Sequence, residues 1–387
     1  MKIAIVCDSF KESLAPLEVA EEIRAGFARV FPEADYLCLP MADGGEGTVE
    51  ALVQGTGGKL ISCTVTGPLG KTVQSFFGIS GDGRTAIIEM AAAAGLPLLK
   101  AEERDPLRTT TYGVGELVLA ALERGCQHVI LGLGGSATND GGAGFAQALG
   151  VRFLDDEGRE LPAGGAALSR LAKIDLSAVD GRLSGITLEG ACDVRSLLTG
   201  PQGASHVFGP QKGADQDDVV RLDEALKHYA RVLLEQCGRD VADVPGAGAA
   251  GGLGAGLLAF TEARLRPGVD IVADQLRLAE RFMDVDLVIT GEGRMDGQSA
   301  QGKAPMGVAR IARAQGRPVI AIVGSTGDGV DRMHEVGIEA FFDTVPRPET
   351  LSVVLEQSRE NIRRTAENVA ATLKMGMVMG RETGRPD

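Results

Sequence analysis

The sequence predicts an α/β fold in two domains, and three observations predict it. At both chain ends, apolar runs of strand length alternate with segments of helical spacing, each strand running into an acidic, glycine-rich loop. From about residue 59 to 99 the character changes to short β-type runs separated by turns such as Gly67–Pro68 and Gly81–Asp82–Gly83. After about residue 284 the strand–loop–helix rhythm returns. The simplest topology is a Rossmann-like parallel-sheet domain built from both chain ends, residues 1–58 and 284–387. A mixed-sheet α/β domain, 59–283, is inserted into it, with a cleft between the two.

Lys2–Cys7 reads as the first strand and Asp8–Ser9–Phe10–Lys11 as the loop at its carboxyl end. Leu17, Ala20, Ile23, Phe27 and Val30 have helical spacing, with Pro16 suited to the first helical position. Tyr36–Leu39 is a second strand that enters Asp43–Gly44–Gly45–Glu46–Gly47–Thr48, with a helix from Val49. The inserted domain opens with β-runs at Thr64–Thr66, Thr72–Gly78 and Thr85–Met90. A helix over Val114–Glu123 leads to the strand Val129–Leu131, and Leu188–Asp193 is another strand ending in an acid. Ser205–Asp215 reads as a loop, Asp217–Cys237 as a long amphipathic helix, and Gly246–Gly256 as a further glycine-rich stretch. The last third gives a strand at Leu287–Thr290, a loop over Gly291–Pro305 and a helix at Met306–Ala314. Strands at Pro318–Val323 and Phe341–Thr344 and a closing helix over Thr350–Thr372 follow, with 375–387 as a frayed tail.

Composition narrows the function. The net charge of −14 comes with no basic block, which argues against nucleic acid as a partner and means an anionic substrate needs a local basic pocket or a metal. The cysteines are widely spaced with no C-x-x-C pair, and the four histidines lack metal-ligand spacing, so reduced thiols and no zinc site are expected. The chain opens directly on a strand-like run, and no 18-residue apolar segment exists, so a cytoplasmic protein without membrane association is expected.

The stretch Gly132–Gly144, GLGGSATNDGGAG, stands between a buried strand and a helix. Such a density of glycine suits backbone N–H groups that must approach an anion, and Ser136, Thr138, Asn139 and Asp140 add groups able to hold phosphate oxygens and hydrated Mg²⁺. Three generic fingerprints match in part, of which Gly246-x-Gly248-x-x-Gly251 has no strand before it. Gly132-x-Gly134-x-x-Ala137 follows a strand as in a dinucleotide site, but Asn139–Gly142 are weak helix formers where that motif needs a helix. Gly297-x4-Gly302-Lys303-Ala304 approaches a P-loop but lacks its Ser or Thr, while Lys303 still stands at a helix N-terminus suited to an anion. The acids Asp8, Asp43, Glu46, Asp140, Asp193, Glu292 and Asp296 all lie in loops directly after strand-like runs. That is the pattern of a metal–phosphate cleft, with Lys11, Lys212 and Lys303 as basic groups in similar loops.

Longer blocks are more specific. DSFKESL (Asp8–Leu14), MADGGEGT (Met41–Thr48), TTTYGVGE (Thr109–Glu116), GGSATNDGGAG (Gly134–Gly144), FGPQKGA (Phe208–Ala214), GAGAAGGLGAG (Gly246–Gly256) and TGEGRMDGQSAQGKAP (Thr290–Pro305) resemble, in order and over nearly the whole chain, the signature blocks of the bacterial type-1 glycerate kinase family. The resemblance implies ATP-dependent, Mg²⁺-assisted phosphorylation of D-glycerate, with 2-phosphoglycerate as product and 3-phosphoglycerate as the alternative. A dinucleotide-dependent oxidoreductase is the reading from another class. Two departures stand out: Glu12 replaces the usual glycine of DSFKGSL, and Cys192–Gly200 lacks the usual Asn-Pro.

Roles consistent with the residues and the resemblance follow. Gly134, Gly135, Ser136, Thr138, Asn139 and Asp140 would hold the ATP phosphates. Asp296, with Glu292 or Asp193, would hold Mg²⁺. Lys11 and Lys303 would stabilise the migrating phosphoryl group, and Asp193 or Asp43 would take the substrate proton. Ser9, Arg108 and Lys212 are the substrate-side candidates, Arg108 and Lys212 for the carboxylate. Partners are small molecules, and a homodimer is left open.

Overall fold

The structure, a computed structural model, describes residues 1–383. The chain divides into two compact units, Met1–Asp43 with the segment from Val272 onward, and Gly44–Ile271.

The first unit is built on a five-stranded, wholly parallel sheet in the order Ala340–Asp343, Val319–Val323, Leu287–Gly291, Lys2–Cys7, Asp35–Pro40. The strands are near-continuous apolar runs because helices cover the sheet, and Ile3, Ile5, Ile289 and Ile322 are buried in one core with Ile23, Phe27 and Ile362. Strand order reverses between Lys2–Cys7 and Leu287–Gly291, which makes the carboxyl ends of those two strands the switch point where open α/β sheets bind ligands. Pro16 opens the helix Pro16–Ala28, and Gly26 lets it lie directly on the last helix, Ser358–Thr383. A Cβ at Gly26 would sit 2.4 Å from the carbonyl of Arg363. Glu22, almost fully buried there, accepts from Arg359 at 3.3 Å and Arg363 at 3.0 Å.

The second unit carries a six-stranded mixed sheet in the order Arg264–Arg266, Thr187–Ala191, His128–Gly132, Thr85–Glu89, Thr72–Ile79, Lys59–Thr66. The first four strands are parallel, and the last two join antiparallel. One core, including Phe77, Ile88, Leu117, Leu131 and Phe145, lies against this sheet, and a second gathers Phe153, Tyr229 and Leu233 beneath the helix Gln216–Cys237. That helix is capped at Asp215, whose side chain accepts from Asp218 N, and ends at the left-handed Gly238.

Several expectations are adjusted by packing. The helix Thr48–Thr56 groups with the second unit, since Val49 N donates to Glu89 and a Cβ on Gly78 would meet Val53 at 2.5 Å. Ser205–Asp215, expected as loop, forms the helix Ala204–Phe208 and a 3₁₀ turn at Pro210–Lys212 that brings Lys212 inside. The glycine-rich 246–256 stretch opens the helix Ala249–Phe260 through three consecutive left-handed residues, Ala250–Gly252. The closing helix breaks at Gln357 into Leu351–Glu356 and Ser358–Thr383. Of the expected frayed tail, 375–383 are helical, and 384–387 lie outside the described residues.

Candidate active site

In the first unit, the two switch-point loops bring acids and lysines together. Asp8 follows the Lys2–Cys7 strand, its backbone N–H donating to Gly291 O, and its carboxylate accepts from Ser9 N at 2.6 Å. Burial pushes the Asp8 carboxyl up to about 7; Asp43 and Glu292 push in the same direction, while Ser9 N and Lys11 oppose them. Glu292 follows the Leu287–Gly291 strand and is 5% exposed. Burial raises its carboxyl above the ordinary range, outweighing the Ser299 hydroxyl and the ammonium of Lys303 at 3.5 Å. Its Oε1 is buried with no hydrogen-bond partner. Asp296 is partly exposed, accepts from Gln298 N at 2.9 Å and lies 3.6 Å from Arg294. Lys303 is the N-cap residue of the helix Ala304–Ala314, with Pro305 in its first turn. Lys11 is exposed in the Phe10–Leu14 turn, and Gly293 packs against the backbone of Phe10 and Lys11. No cluster of three or more His, Cys, Asp or Glu residues able to hold a metal exists among the described residues. Mg²⁺ is commonly bound by one or two carboxylates completed by phosphates and water, so a Glu292–Asp296 pair with an orphaned oxygen fits that ion.

In the second unit, the Gly132–Gly144 loop leaves the His128–Gly132 strand against the Gly44–Gly45 backbone: a Cβ on Gly132 would meet Gly44 O at 2.8 Å, and one on Gly134 would meet Gly45 at 3.6 Å. Gly134 and Gly135 are exposed, Ser136 is 7% exposed, and Thr138, Asn139 and Asp140 are buried. The backbone N–H groups of Gly134, Gly135, Ser136, Thr138, Asn139 and Asp140 make no hydrogen bond among the described residues. Unpaired donors at buried residues, as at Ser136 and Thr138–Asp140, are rare, and with the exposed Gly134 and Gly135 they have the composition of an anion nest, interrupted by Ala137, whose N–H donates to Ala94 O at 2.9 Å.

Two side chains of the same loop are held by the protein, while Thr138 Oγ1 and Asn139 Oδ1 are buried without a hydrogen-bond partner. Asp140 accepts from Thr111 N (2.8 Å), Thr111 Oγ1 (2.9 Å), Gly142 N (3.1 Å) and Gly144 N (3.2 Å), and burial still raises its carboxyl above the usual range. Asn139 Nδ2 donates to Ser205 Oγ at 2.9 Å. Lys212, 1% exposed, donates from Nζ to the carbonyl of Thr138 at 2.7 Å; burial lowers its ammonium to about 7, against the raising effect of Asp140. Arg108 is exposed, beside Gly164, and Asp193 is exposed and accepts from Gly268 N at 3.0 Å.

The first unit thus gathers Ser9, Lys11, Asp43, Glu292, Asp296 and Lys303 on strand-end loops, and the second holds Arg108, Gly134–Asp140, Asp193 and Lys212. The sequence reading gave no individual role to Asp8, which opens the DSFKESL block and was grouped only with the other loop acids, or to Thr109 and Thr111, which stand inside the TTTYGVGE block.

Glycine-lined donors, strand-end carboxylates and lysines define the class: an α/β enzyme that handles phosphate. The chain belongs to the glycerate kinase family, whose model matches residues 3–374. It is 52% identical over 377 residues to the glycerate 2-kinase of Escherichia coli K12, covering 97% of this chain and 99% of that one. It is 53% identical over 373 residues to the glycerate kinase of Haemophilus influenzae, covering 96% and 99%. Among solved structures, it superposes with a TM-score of 0.91 on a Salmonella typhimurium LT2 protein provisionally designated glycerate kinase 2, at 53% identity and with 97% and 99% of the two chains covered. Membership of a kinase family displaces the oxidoreductase reading of Gly132–Ala137.

Proposed function

We propose that this kinase transfers the γ-phosphoryl group of ATP to D-glycerate, giving 2-phosphoglycerate, in the cytoplasm. The observation that carries the proposal is the set of backbone donors at Gly134, Gly135, Ser136 and Thr138–Asp140 that have no acceptor among the described residues. A polyphosphate would first meet the exposed Gly134–Gly135 limb, with the donors of 138–140 behind it. The relative named glycerate 2-kinase supports the 2-hydroxyl as acceptor. Phosphoryl transfer is mainly positioning and charge stabilisation. In this reading Lys303, at a helix N-terminus, and Lys11 neutralise charge on the moving group. Asp296 and Glu292 would hold Mg²⁺, which supplies further neutralisation of the phosphate oxygens. Asp43 or Asp193 takes the hydroxyl proton, and Ser9 and Arg108 serve the substrate.

The test is ADP release from MgATP with D-glycerate present, with the product resolved by ³¹P NMR. Release dependent on D-glycerate and a phosphorus coupled to one proton support the proposal. A phosphorus coupled to two protons makes the enzyme a 3-kinase, and no release above background removes D-glycerate as substrate. Asp296→Asn should lower kcat by at least ~10² while the melting temperature stays put; wild-type turnover would take Asp296 out of the reaction.

A further inference from the structure

The loop that carries the unpaired donors is held from behind, residue by residue, by other segments. Thr109 Oγ1 donates to Ala137 O at 2.9 Å, Lys212 Nζ to Thr138 O at 2.7 Å, and Gly141 N to Gly251 O at 3.0 Å. Gly251 lies so close that a Cβ there would stand 1.9 Å from Thr138 O. The peptide planes of the described residues are trans, so a carbonyl fixed on one side turns the next residue's N–H to the other. Thr109 therefore aims the N–H of Thr138, and Lys212 aims the N–H of Asn139, each away from its anchor.

We propose that Lys212 is a positioning residue for the nucleotide loop: its buried ammonium locks the Thr138–Asn139 peptide plane so that the Asn139 N–H faces the phosphates, and it does not bind the glycerate carboxylate. This rests on the reading that Gly134–Asp140 holds the ATP phosphates. A buried ammonium is costly and is retained here against a neutral carbonyl, with Asp140 as the charge acting on it. That cost buys orientation, since a donor row preset before the anion arrives needs no reorganisation when it does. Thr109, fully buried, does the same for the preceding peptide without a charge.

Steady-state kinetics of Lys212→Met, with both substrates varied, tests the inference. Losing a charge-assisted hydrogen bond that orients a donor should raise the KM for MgATP about tenfold, with the D-glycerate KM within about twofold of wild type. A raised D-glycerate KM with an unchanged MgATP KM would overturn the inference and return Lys212 to the substrate carboxylate. Unchanged kinetics with only a shifted melting temperature would overturn it as well, in favour of a purely structural lysine. Should Lys212→Met not fold, Thr109→Val decides by the same two KM values, because it removes one hydroxyl from an equal volume. Gly134→Val separates the two levels of the argument. If it leaves the MgATP KM unchanged, the loop is not the phosphate site; if it raises that KM while Lys212→Met does not, only the positioning role fails.

Discussion

At the scale of single residues, Glu12 is the clearest case of local strain. It sits at φ +64° in the exposed turn closed by Ser13 N and Leu14 N on Phe10 O, the place where the DSFKGSL block carries glycine. A left-handed non-glycine residue costs about 1–2 kcal/mol, part of which a glycine returns as extra freedom of the unfolded chain. Glu12→Gly should therefore stabilise the protein by about 0.5–1 kcal/mol, raising the melting temperature by roughly 1–3 °C. A lower melting temperature would mean the Glu12 side chain makes a stabilising contact. Asp8 presents the opposite situation, a strained charge in place of a strained backbone. Its carboxyl, ordinarily near 3.8, is raised to about 7 by burial and neighbouring acids. Between those values the folded state binds the proton that the unfolded state has released. The contribution is complete below about pH 4 and is lost as pH rises through 7, at most about 4 kcal/mol. Measured in EDTA, Asp8→Asn should remove this loss and flatten the decline of stability between pH 5 and 8. A decline as steep as wild type would show that Asp8 is not its source.

At the scale of elements, the decisive device is the left-handed turn Ala250–Gly252 that opens the helix Ala249–Phe260 and lays backbone against Thr138 and Gly141. Gly238 offers a control in the same unit: its φ of +66° nearly equals the +68° of Gly251, but nothing lies within 4 Å of its added Cβ. Gly238→Ala should cost about 1 kcal/mol from backbone strain alone. Gly251→Ala should cost at least ~2 kcal/mol more, because the methyl drives into Thr138 O. Equal melting temperatures for the two variants would show that the loop yields freely. Elements with a clear apolar run or period were legible beforehand: Lys2–Cys7 is reproduced residue for residue, and the Gln216–Cys237 helix begins one residue from its expected start. The FGPQKGA block was not, because its helix and 3₁₀ turn are too short for a period and depend on Pro210 and on packing.

At the scale of the whole molecule, each unit has its own core, and the chain carries a net charge of −14. That field opposes the approach of an anionic substrate beyond the reach of Lys11 and Lys303. Raising ionic strength from about 10 to 100 mM shortens the reach of the repulsion to about 10 Å, so kcat/KM for D-glycerate should rise over that range. A fall would mean that the local lysines dominate the field the substrate meets.

What the sequence determined by itself was whatever is written in local order. Period and length placed the strands, and the blocks from Asp8–Leu14 to Thr290–Pro305 pointed to the family. Each glycine-rich or acidic loop was placed after its strand by counting along the chain. The tertiary structure decided which face of those loops is chemically available. Lys11 and Lys212 look alike in sequence, yet one is exposed and the other lies 1% exposed on a carbonyl 74 residues away. Asp140 and Glu292 both follow strands, yet one has its oxygens filled by four donors while the other keeps an oxygen unpartnered. Burial and hydrogen-bond saturation are set by segments distant in the chain, and no local pattern encodes them.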